Sequence, residues 1–193
     1  MYDDRLRKDE WYVAPAPIKE AKEMVREYHY SKGCSHTAVY AHGLYKKSDN
    51  KLYGVALWLP PTKVACESVN KEKWTKVLSL SRLVVVPGVP KNACSFLMSR
   101  SINMIKEEGR FVSLVTYADF SQGHTGGIYK ATNWTYIGET KGTARWLDQN
   151  GKQVAIKSTK SRTKQQMLDL GYINTGVFKK HKFILHLEKS NEN

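Results

Sequence analysis

The sequence has few cysteines and no long apolar run, and each shortage argues against a class of protein. Its three cysteines, Cys34, Cys66 and Cys94, are odd in number and include no Cys-x-x-Cys pair. This argues against a disulfide framework and a cysteine-based zinc site, and it favours a reducing cytoplasm. No apolar run approaches the length of a membrane span. The first residues, MYDDRLRKDEWYV, also lack the apolar segment of a signal peptide.

Acidic residues are scarce relative to basic ones. The chain has 31 Lys and Arg against 18 Asp and Glu, a net charge of +13. The segment from Lys141 to Lys182 holds ten basic residues and only Asp148 and Asp169 against them. Such a local surplus indicates a face for a polyanionic partner, with nucleic acid as the first candidate and an acidic membrane surface as the second. The alternative, that the charge only aids solubility, stays open.

The order of apolar segments predicts one α+β domain over residues 1–193, because no repeat or low-complexity linker divides the chain. Helical spacing indicates an amphipathic helix at 18–30 that ends near Gly33, and Asn92 is expected to cap a second helix that reaches Glu108. Shorter helices are predicted at 128–132 and 161–170. Strands are predicted at 11–14, 37–45, 52–59, 77–86, 111–115, 134–137 and 183–187. Asn150-Gly151 predicts a basic hairpin, in a region of about 141–164, between strands at 143–147 and 153–156.

This order resembles the GNAT (Gcn5-related N-acetyltransferase) fold, a mixed, largely antiparallel sheet flanked by helices. In that fold, a strand is followed by a helix whose N-terminus holds the cofactor pyrophosphate. The equivalent turn here, PGVPKNACS, lacks the Gly-rich loop that such acyltransferases carry. Exposed N–H groups at Ala93 and Cys94 are the candidates for binding a phosphate or carboxylate.

The stretch from Phe111 to Gly138 is predicted to build a site. An apolar strand turns polar at Thr116-Tyr117-Ala118-Asp119, and the glycine-rich loop SQGHTGG follows. A carboxylate after a buried strand lies where open α/β sheets place their chemistry. The alternative is an ordinary strand, loop and helix with a solvated Asp and His.

Several short motifs together resemble the Mom family of bacteriophage DNA-modification proteins. They are His29-Tyr30-Ser31, LSRL at 80–83, Tyr117-Ala118-Asp119, QGH at 122–124 and IYKATNW at 128–134. The resemblance extends from about residue 18 to the KHKFILHL segment. It implies a GNAT-like fold and methylcarbamoylation of adenine N6 in phage DNA, in the cytoplasm of the bacterial host. The modification would shield that DNA from restriction.

The residues of these motifs suit such chemistry. Adenine N6 is a poor nucleophile, so its attack requires an acceptor for the N–H proton, and Asp119 is the best candidate. Arg82, a charge in an apolar strand, needs an anionic partner, either Asp119 or a bound carboxylate or phosphate. His29, Tyr30 and Tyr129 are further catalytic candidates. The competing roles are loop capping for Asp119, a structural salt bridge for Arg82, helix-end capping for His29 and packing for Tyr129.

The donor and any metal stay open. His29, His124 and Asp119 are candidates for a two-His-one-carboxylate iron site, in which Tyr30 or Tyr129 could replace a ligand. No H-x-D or H-x-x-x-H spacing supports it. An acyl coenzyme A and an activated glycine, such as an ester on tRNA, are the two donor classes considered.

Double-stranded DNA is the expected partner, and no membrane is expected. Trp146 is the candidate for contact with DNA, whereas Trp134 is assigned to the core. The target adenine is expected to flip out of the duplex. A GNAT acyltransferase acting on a protein, a small amine or tRNA, and a non-catalytic DNA-binding protein, are the alternatives. Monomer and dimer are both open. The predicted phosphate contacts are Lys141, Arg145, Lys152, Lys157, Lys160, Arg162 and Lys164.

Overall fold

The computed structural model describes residues 4–33, 37–119, 126–154 and 162–187. No helix within these ranges is long and apolar enough to cross a bilayer. The helices are α1 Ile18–Tyr28, α2 Lys63–Glu67, α3 Ala93–Glu108, α4 Gly127–Ala131 and α5 Lys164–Asp169, with a 3₁₀ turn at Trp74–Lys76. The strands are β1 Trp11–Pro15, β2 Tyr40–Lys46, β3 Leu52–Leu59, β4 Val77–Val85, β5 Ser113–Ala118, β6 Thr135–Glu139, β7 Thr143–Leu147, β8 Ile173–Phe178 and β9 His181–His186.

Seven strands form one sheet in the order β1-β2-β3-β4-β5-β9-β6. Every neighbouring pair is antiparallel except β4 and β5, which run parallel. The crossover between these two strands is α3, as a parallel connection requires. The prediction of an α+β fold with a mixed, largely antiparallel sheet is confirmed.

The two long helices cover opposite faces of this sheet. Successive side chains of β3 alternate between them, so Leu57 packs in the cluster with α1 while Trp58 packs in the cluster with α3. Val25 of α1 and Leu97 of α3 are fully buried against these faces. The apolar run of β3 therefore reflects a strand that is covered on both sides.

The helix predicted after Asn92 is confirmed, but the Asn92 side chain does not cap it. Asn92 adopts a left-handed conformation (φ 68°) and makes no side-chain cap hydrogen bond. Instead the Ser95 hydroxyl donates to the Asn92 carbonyl at 3.0 Å. The first helix ends at Tyr28, so the prediction that Gly33 ends it is wrong.

The predicted basic hairpin is present at its turn, and residues 155 and 156 of its second strand lie outside the described residues. β7 pairs along its whole length with β8, a strand that the sequence pattern did not indicate, and together they form a separate two-stranded sheet. β7 also meets the segment that follows the Asn150-Gly151 turn, because Leu147 bridges Gln153 and the Val154 N–H donates to the Trp146 carbonyl at 2.9 Å. The turn itself is real, since Gly151 has φ +73° and donates its N–H to Asp148 at 2.9 Å. The predicted turn is therefore confirmed, whereas the pairing of β7 with β8 was not predicted.

A buried polar cluster links β2, β3 and α3. The Trp58 indole N–H donates to the Ser101 hydroxyl at 2.7 Å, and that hydroxyl lies 2.6 Å from Nδ1 of His42. His42 is 4% exposed. Burial lowers the pKa of His42 from 6.5 to about 4, although the Glu108 carboxylate opposes the shift. The imidazole is therefore neutral in the folded protein at neutral pH.

This cluster predicts acid-dependent stability. The unfolded state binds a proton at His42 more readily than the folded state does. The contribution of the neutral imidazole to the free energy of unfolding is therefore complete above pH 6.5 and is lost as the pH falls towards 4. The full loss is about 3 kcal/mol in the free energy of unfolding. Urea unfolding at pH 7 and pH 4.5 measures it. We expect His42→Gln to be less sensitive to acid than the parent.

The control is His186→Gln, which replaces an exposed imidazole and should keep the parent's loss of stability. Equal acid sensitivity in the parent and in His42→Gln would contradict the prediction.

Candidate active site

The sheet opens between its two parallel strands. β4 and β5 pair only from Val77 with Ser113 to Leu80 with Thr116. Beyond that point β4 continues along β3 and β5 continues along β9. Because β4 and β5 no longer pair with each other, a wedge opens between them. Backbone and side chains from both strands line this wedge.

A cavity of about 150 Å³ occupies this wedge. One wall comes from β4 and the other from β5, while the segment after α1 and the first turns of α3 and α4 complete it. The structure brings together Asp119, Arg82, Tyr129, His29 and Tyr30, the five predicted catalytic residues. The remaining lining residues are Leu80, Ser81, Leu83, Cys94, Thr116, Tyr117, Ala118 and Ile128.

Asp119 follows directly after β5 and is almost fully buried. Its Oδ2 accepts a hydrogen bond from Nη2 of Arg145 at 3.0 Å, and the two side chains are 8% and 21% exposed. Arg145 comes from β7 of the small sheet. The guanidinium of Arg145 is therefore paired with a carboxylate that lines the cavity, and its role as a phosphate contact stays a prediction.

Arg82 connects two segments of backbone. Its Nε donates to the Gly33 carbonyl at 2.8 Å and its Nη1 donates to the Ser81 carbonyl at 2.7 Å. Within the described part of the chain Arg82 makes no ion pair, and Asp119 pairs with Arg145 instead. Of the two anionic partners considered for Arg82, Asp119 is therefore wrong, and a bound carboxylate or phosphate stays a prediction. The guanidinium instead holds the segment after α1 against β4, on the wall of the cavity.

His29 and Tyr30 form a stacked pair at the cavity, with ring centroids 4.4 Å apart. The His29 Nδ1 accepts the backbone N–H of Ser31 at 3.1 Å. Tyr30 is half exposed. Burial raises the pKa of Tyr30 and the Asp119 carboxylate raises it further, whereas the guanidinium groups of Arg82 and Arg145 lower it. The phenol therefore keeps its proton at neutral pH.

Tyr129 lies deeper, on α4, and packs 4.8 Å from the Phe183 ring. Burial raises the pKa of Tyr129, while a hydrogen bond with Thr116 opposes that shift. Burial also raises the pKa of the Cys94 thiol to about 11. Neither group is an anion at neutral pH, so the cavity offers phenol and thiol donors beside one carboxylate. The contact with the Phe183 ring shows that Tyr129 also packs against its neighbours, which is its competing role.

The predicted anion site at the start of α3 is only partly present. The Ala93 N–H donates to the Pro90 carbonyl at 3.2 Å and Ala93 is 1% exposed, so it is not an exposed donor. The first turn of α3 reaches the cavity through Cys94. His124, the third member of the iron hypothesis, lies outside the described residues. Among described residues, no three potential metal ligands cluster, and the iron hypothesis stays a prediction.

Apart from Arg145, which is paired with Asp119, the predicted DNA-binding residues fall into three groups. Trp146 is 5% exposed, so the prediction that its ring contacts DNA is wrong in this structure. Lys157 and Lys160 lie outside the described residues. Trp134 is 5% exposed, as expected for a core residue. The remaining predicted phosphate contacts, all exposed, are Lys141, Lys152, Arg162 and Lys164.

Three cavity features were not predicted. Arg145 was assigned to DNA because a run of basic residues gives no signal of a buried partner. The sequence pattern predicts a strand at 111–115 with Thr116 in the polar segment after it, but β5 extends from Ser113 to Ala118. The Cys94 side chain was not considered, although its place two residues after Asn92 in the predicted helix is a usable signal.

The fold is similar to those of solved N-acetyltransferases. The ribosomal-protein-S18-alanine N-acetyltransferase from Escherichia coli matches with 9% identity and a TM-score of 0.55, over 95% of this chain and 97% of that one. An N-acetyltransferase from Staphylococcus aureus Mu50 matches with 11% identity and a TM-score of 0.57, over 92% and 99%. The spermidine N-acetyltransferase from Vibrio cholerae matches with 6% identity and a TM-score of 0.56, over 93% and 97%. The GNAT fold predicted from the sequence is thereby confirmed.

Sequence comparison gives the narrower assignment. No curated protein matches the chain. The family described as the Mom protein family matches residues 10–193, which is nearly the whole sequence. With the fold and the motifs that line the cavity, this match shows that the chain belongs to the Mom protein family.

Proposed function

We propose that this protein methylcarbamoylates adenine N6 in double-stranded DNA and thereby protects phage DNA from host restriction. Membership of the Mom family supplies the expected reaction. The observation that carries the proposal is the position of Asp119. Its carboxylate lies in the wedge between β4 and β5, beside two protonated tyrosines and two guanidinium groups.

Asp119 is the acceptor for the adenine N–H proton in this proposal. As N6 attacks the electrophilic carbon of the donor, its nitrogen gains positive charge and its proton becomes acidic. A nearby carboxylate removes that proton and prevents the charge from accumulating. The buried position of Asp119 strengthens the interaction, because less water competes for the carboxylate oxygens.

Tyr30 and Tyr129 are hydrogen-bond donors, whereas Asp119 is an acceptor. Their pKa values are raised, so both phenols donate hydrogen bonds at neutral pH. Such donors can bind the carbonyl of the donor or the leaving group as negative charge develops there. Tyr30 is half exposed and stacked on His29, and an exposed aromatic ring suits stacking with a flipped adenine.

The wedge also suits a donor of extended shape. Edges of strands that diverge carry backbone groups that an elongated ligand can bind. An acyl coenzyme A and an activated glycine ester remain the donor classes. Asp119, Tyr30 and Tyr129 would have the same roles with either donor. The occupied N–H of Ala93 leaves fewer donors at the start of α3 for a pyrophosphate.

A GNAT N-acyltransferase acting on a protein, a small amine or tRNA is the second candidate. The spermidine N-acetyltransferase to which this fold is similar was solved with CoA and spermine. Calorimetric titration with coenzyme A, followed by an assay with amine acceptors, distinguishes this candidate. Acyl transfer to an amine without any change in DNA would favour it.

The first test of the proposal is mass spectrometry of nucleosides from cells that express the chain. We expect adenine that carries a carbamoylmethyl group at N6. Asp119→Asn keeps the shape of the side chain but removes its charge, so modification should fall roughly 10²- to 10⁴-fold. DNA affinity should change little.

The matched control is Asp148→Asn, which alters a carboxylate that binds the backbone of the 148–152 turn and should leave modification unchanged. Folded parent protein that leaves all adenine unmodified would contradict the proposal. A fully active Asp119→Asn variant would instead contradict the role of Asp119 alone.

DNA binding is predicted to depend on the exposed basic residues that flank the small sheet. Replacing Lys141, Lys152, Arg162 and Lys164 by Ala removes four positive charges. If each contacts a phosphate, the slope of log affinity against log salt should fall by about 3 to 4 on duplex DNA. The affinity should drop nearly equally for all sequences, because phosphate contacts do not identify bases.

Fluorescence anisotropy at several salt concentrations measures this slope. The control replaces Lys19, Lys22, Lys106 and Lys91, which lie on other elements, and removes the same charge. An equal loss of slope in both variants would show that DNA is not bound at the proposed face.

A further inference from the structure

We infer that Arg145 is a positioning residue of the active site and that the β7–β8 sheet is consequently part of that site. The inference rests on the proposed function, because it assigns a task to Arg145 in that reaction. Arg145 Nη2 lies 3.0 Å from Oδ2 of Asp119. A charge-assisted bond at this distance fixes the orientation of a carboxylate.

The small sheet is bent where it presents Arg145. The register pairs Arg145 with Gly176 and Trp146 with Asn174, so Thr175 is an extra residue on β8. Its hydroxyl donates to the Arg145 carbonyl at 3.2 Å. Bulges of this kind bend a strand and turn side chains in new directions, and they are frequent beside active sites.

A glycine and an aromatic ring of β8 lie beside Arg145. Gly176, opposite Arg145, has φ +116° and no side chain. The Phe178 ring lies 3.9 Å from the guanidinium carbon of Arg145. A planar guanidinium held against a ring is already ordered, so it loses less freedom when it binds a carboxylate. Phe178 therefore supports the position of Arg145, which in turn holds Asp119.

Trp146 anchors the strand on the neighbouring position. It is 5% exposed, as is expected of a core residue, and Met167 of α5 is 1% exposed. β7 thus has one buried aromatic residue and, next to it, an arginine that reaches Asp119. This arrangement explains why a basic residue in a region rich in exposed lysines is itself only 21% exposed.

The test compares the kinetics of Arg145→Ala, Arg145→Lys and the parent on duplex DNA. For Arg145→Ala we expect kcat to fall roughly 10²-fold, the usual effect of a misplaced catalytic group, with KM for DNA nearly unchanged. Arg145→Lys keeps the charge but not the planar fork, so it should be intermediate. Guanidinium chloride below denaturing concentration should restore part of the Arg145→Ala rate, and sodium chloride of equal ionic strength should not.

The matched control is Arg110→Ala. The Arg110 guanidinium also lies over a ring, that of Phe111 at 5.1 Å. Arg110 comes before the start of β5, whereas Asp119 follows the end of that strand. Arg110→Ala should keep the parent kcat and show no response to guanidinium. A raised KM with unchanged kcat in Arg145→Ala would make Arg145 a DNA contact and overturn the inference. Lost activity without rescue, accompanied by a large fall in melting temperature, would make its role structural only.

A thermal double-mutant cycle of Arg145→Ala and Asp119→Asn separates this inference from the proposed function. We expect the losses in melting temperature not to add, because both changes break one contact. If the parent modifies no adenine, the proposed function fails while the cycle still reports the contact. Additive losses would overturn the claim that Arg145 holds Asp119, whatever the reaction.

Discussion

The loss of pairing between β4 and β5 is the constraint on which the site depends. These parallel neighbours share hydrogen bonds only as far as Leu80 and Thr116. Each strand then follows its other neighbour, so the sheet stays continuous on both sides of a wedge. Because paired strands lie less than about 5 Å apart, no ligand could enter the centre of a fully paired sheet. The gap lets polar groups from adjacent strands face one cavity.

Two guanidinium groups near the cavity are held by different kinds of interaction. Arg82 binds backbone carbonyls and fastens the segment that carries Tyr30, whereas Arg145 pairs with Asp119 across two sheets. A two-stranded sheet is only marginally stable by itself. β7 and β8 depend on the main domain for their stability, and the ion pair makes the cavity depend on β7. A change in the small sheet is therefore expected to alter the carboxylate as well as the surface.

Much of the candidate site was predictable because its residues lie in short motifs at the ends of regular elements. Asp119 follows an apolar strand, Arg82 is a charge within one, and Tyr129 begins a short helix after a glycine-rich loop. All three line the cavity. The pairing between charges was not predictable, because the sequence leaves Asp119 and a bound carboxylate or phosphate as alternative partners of Arg82. Opposite charges in a sequence show that ion pairs are available, but the distances that select among them arise only on folding.

The sequence by itself determined the alternation of apolar residues along β3 and β4, the helix from Ala93 to Glu108 and the turn at Gly151. These features depend on side-chain periodicity and on backbone preferences that act within a few residues. Tertiary structure decided that β7 pairs with β8, that Trp146 is buried and that Arg145 reaches Asp119. Strand pairing joins segments about 30 residues apart here, and several partners satisfy the same local pattern. Trp146 is 5% exposed and Met167 is 1% exposed in the resulting structure, and such burial stabilises a fold through contacts that a local sequence pattern does not specify.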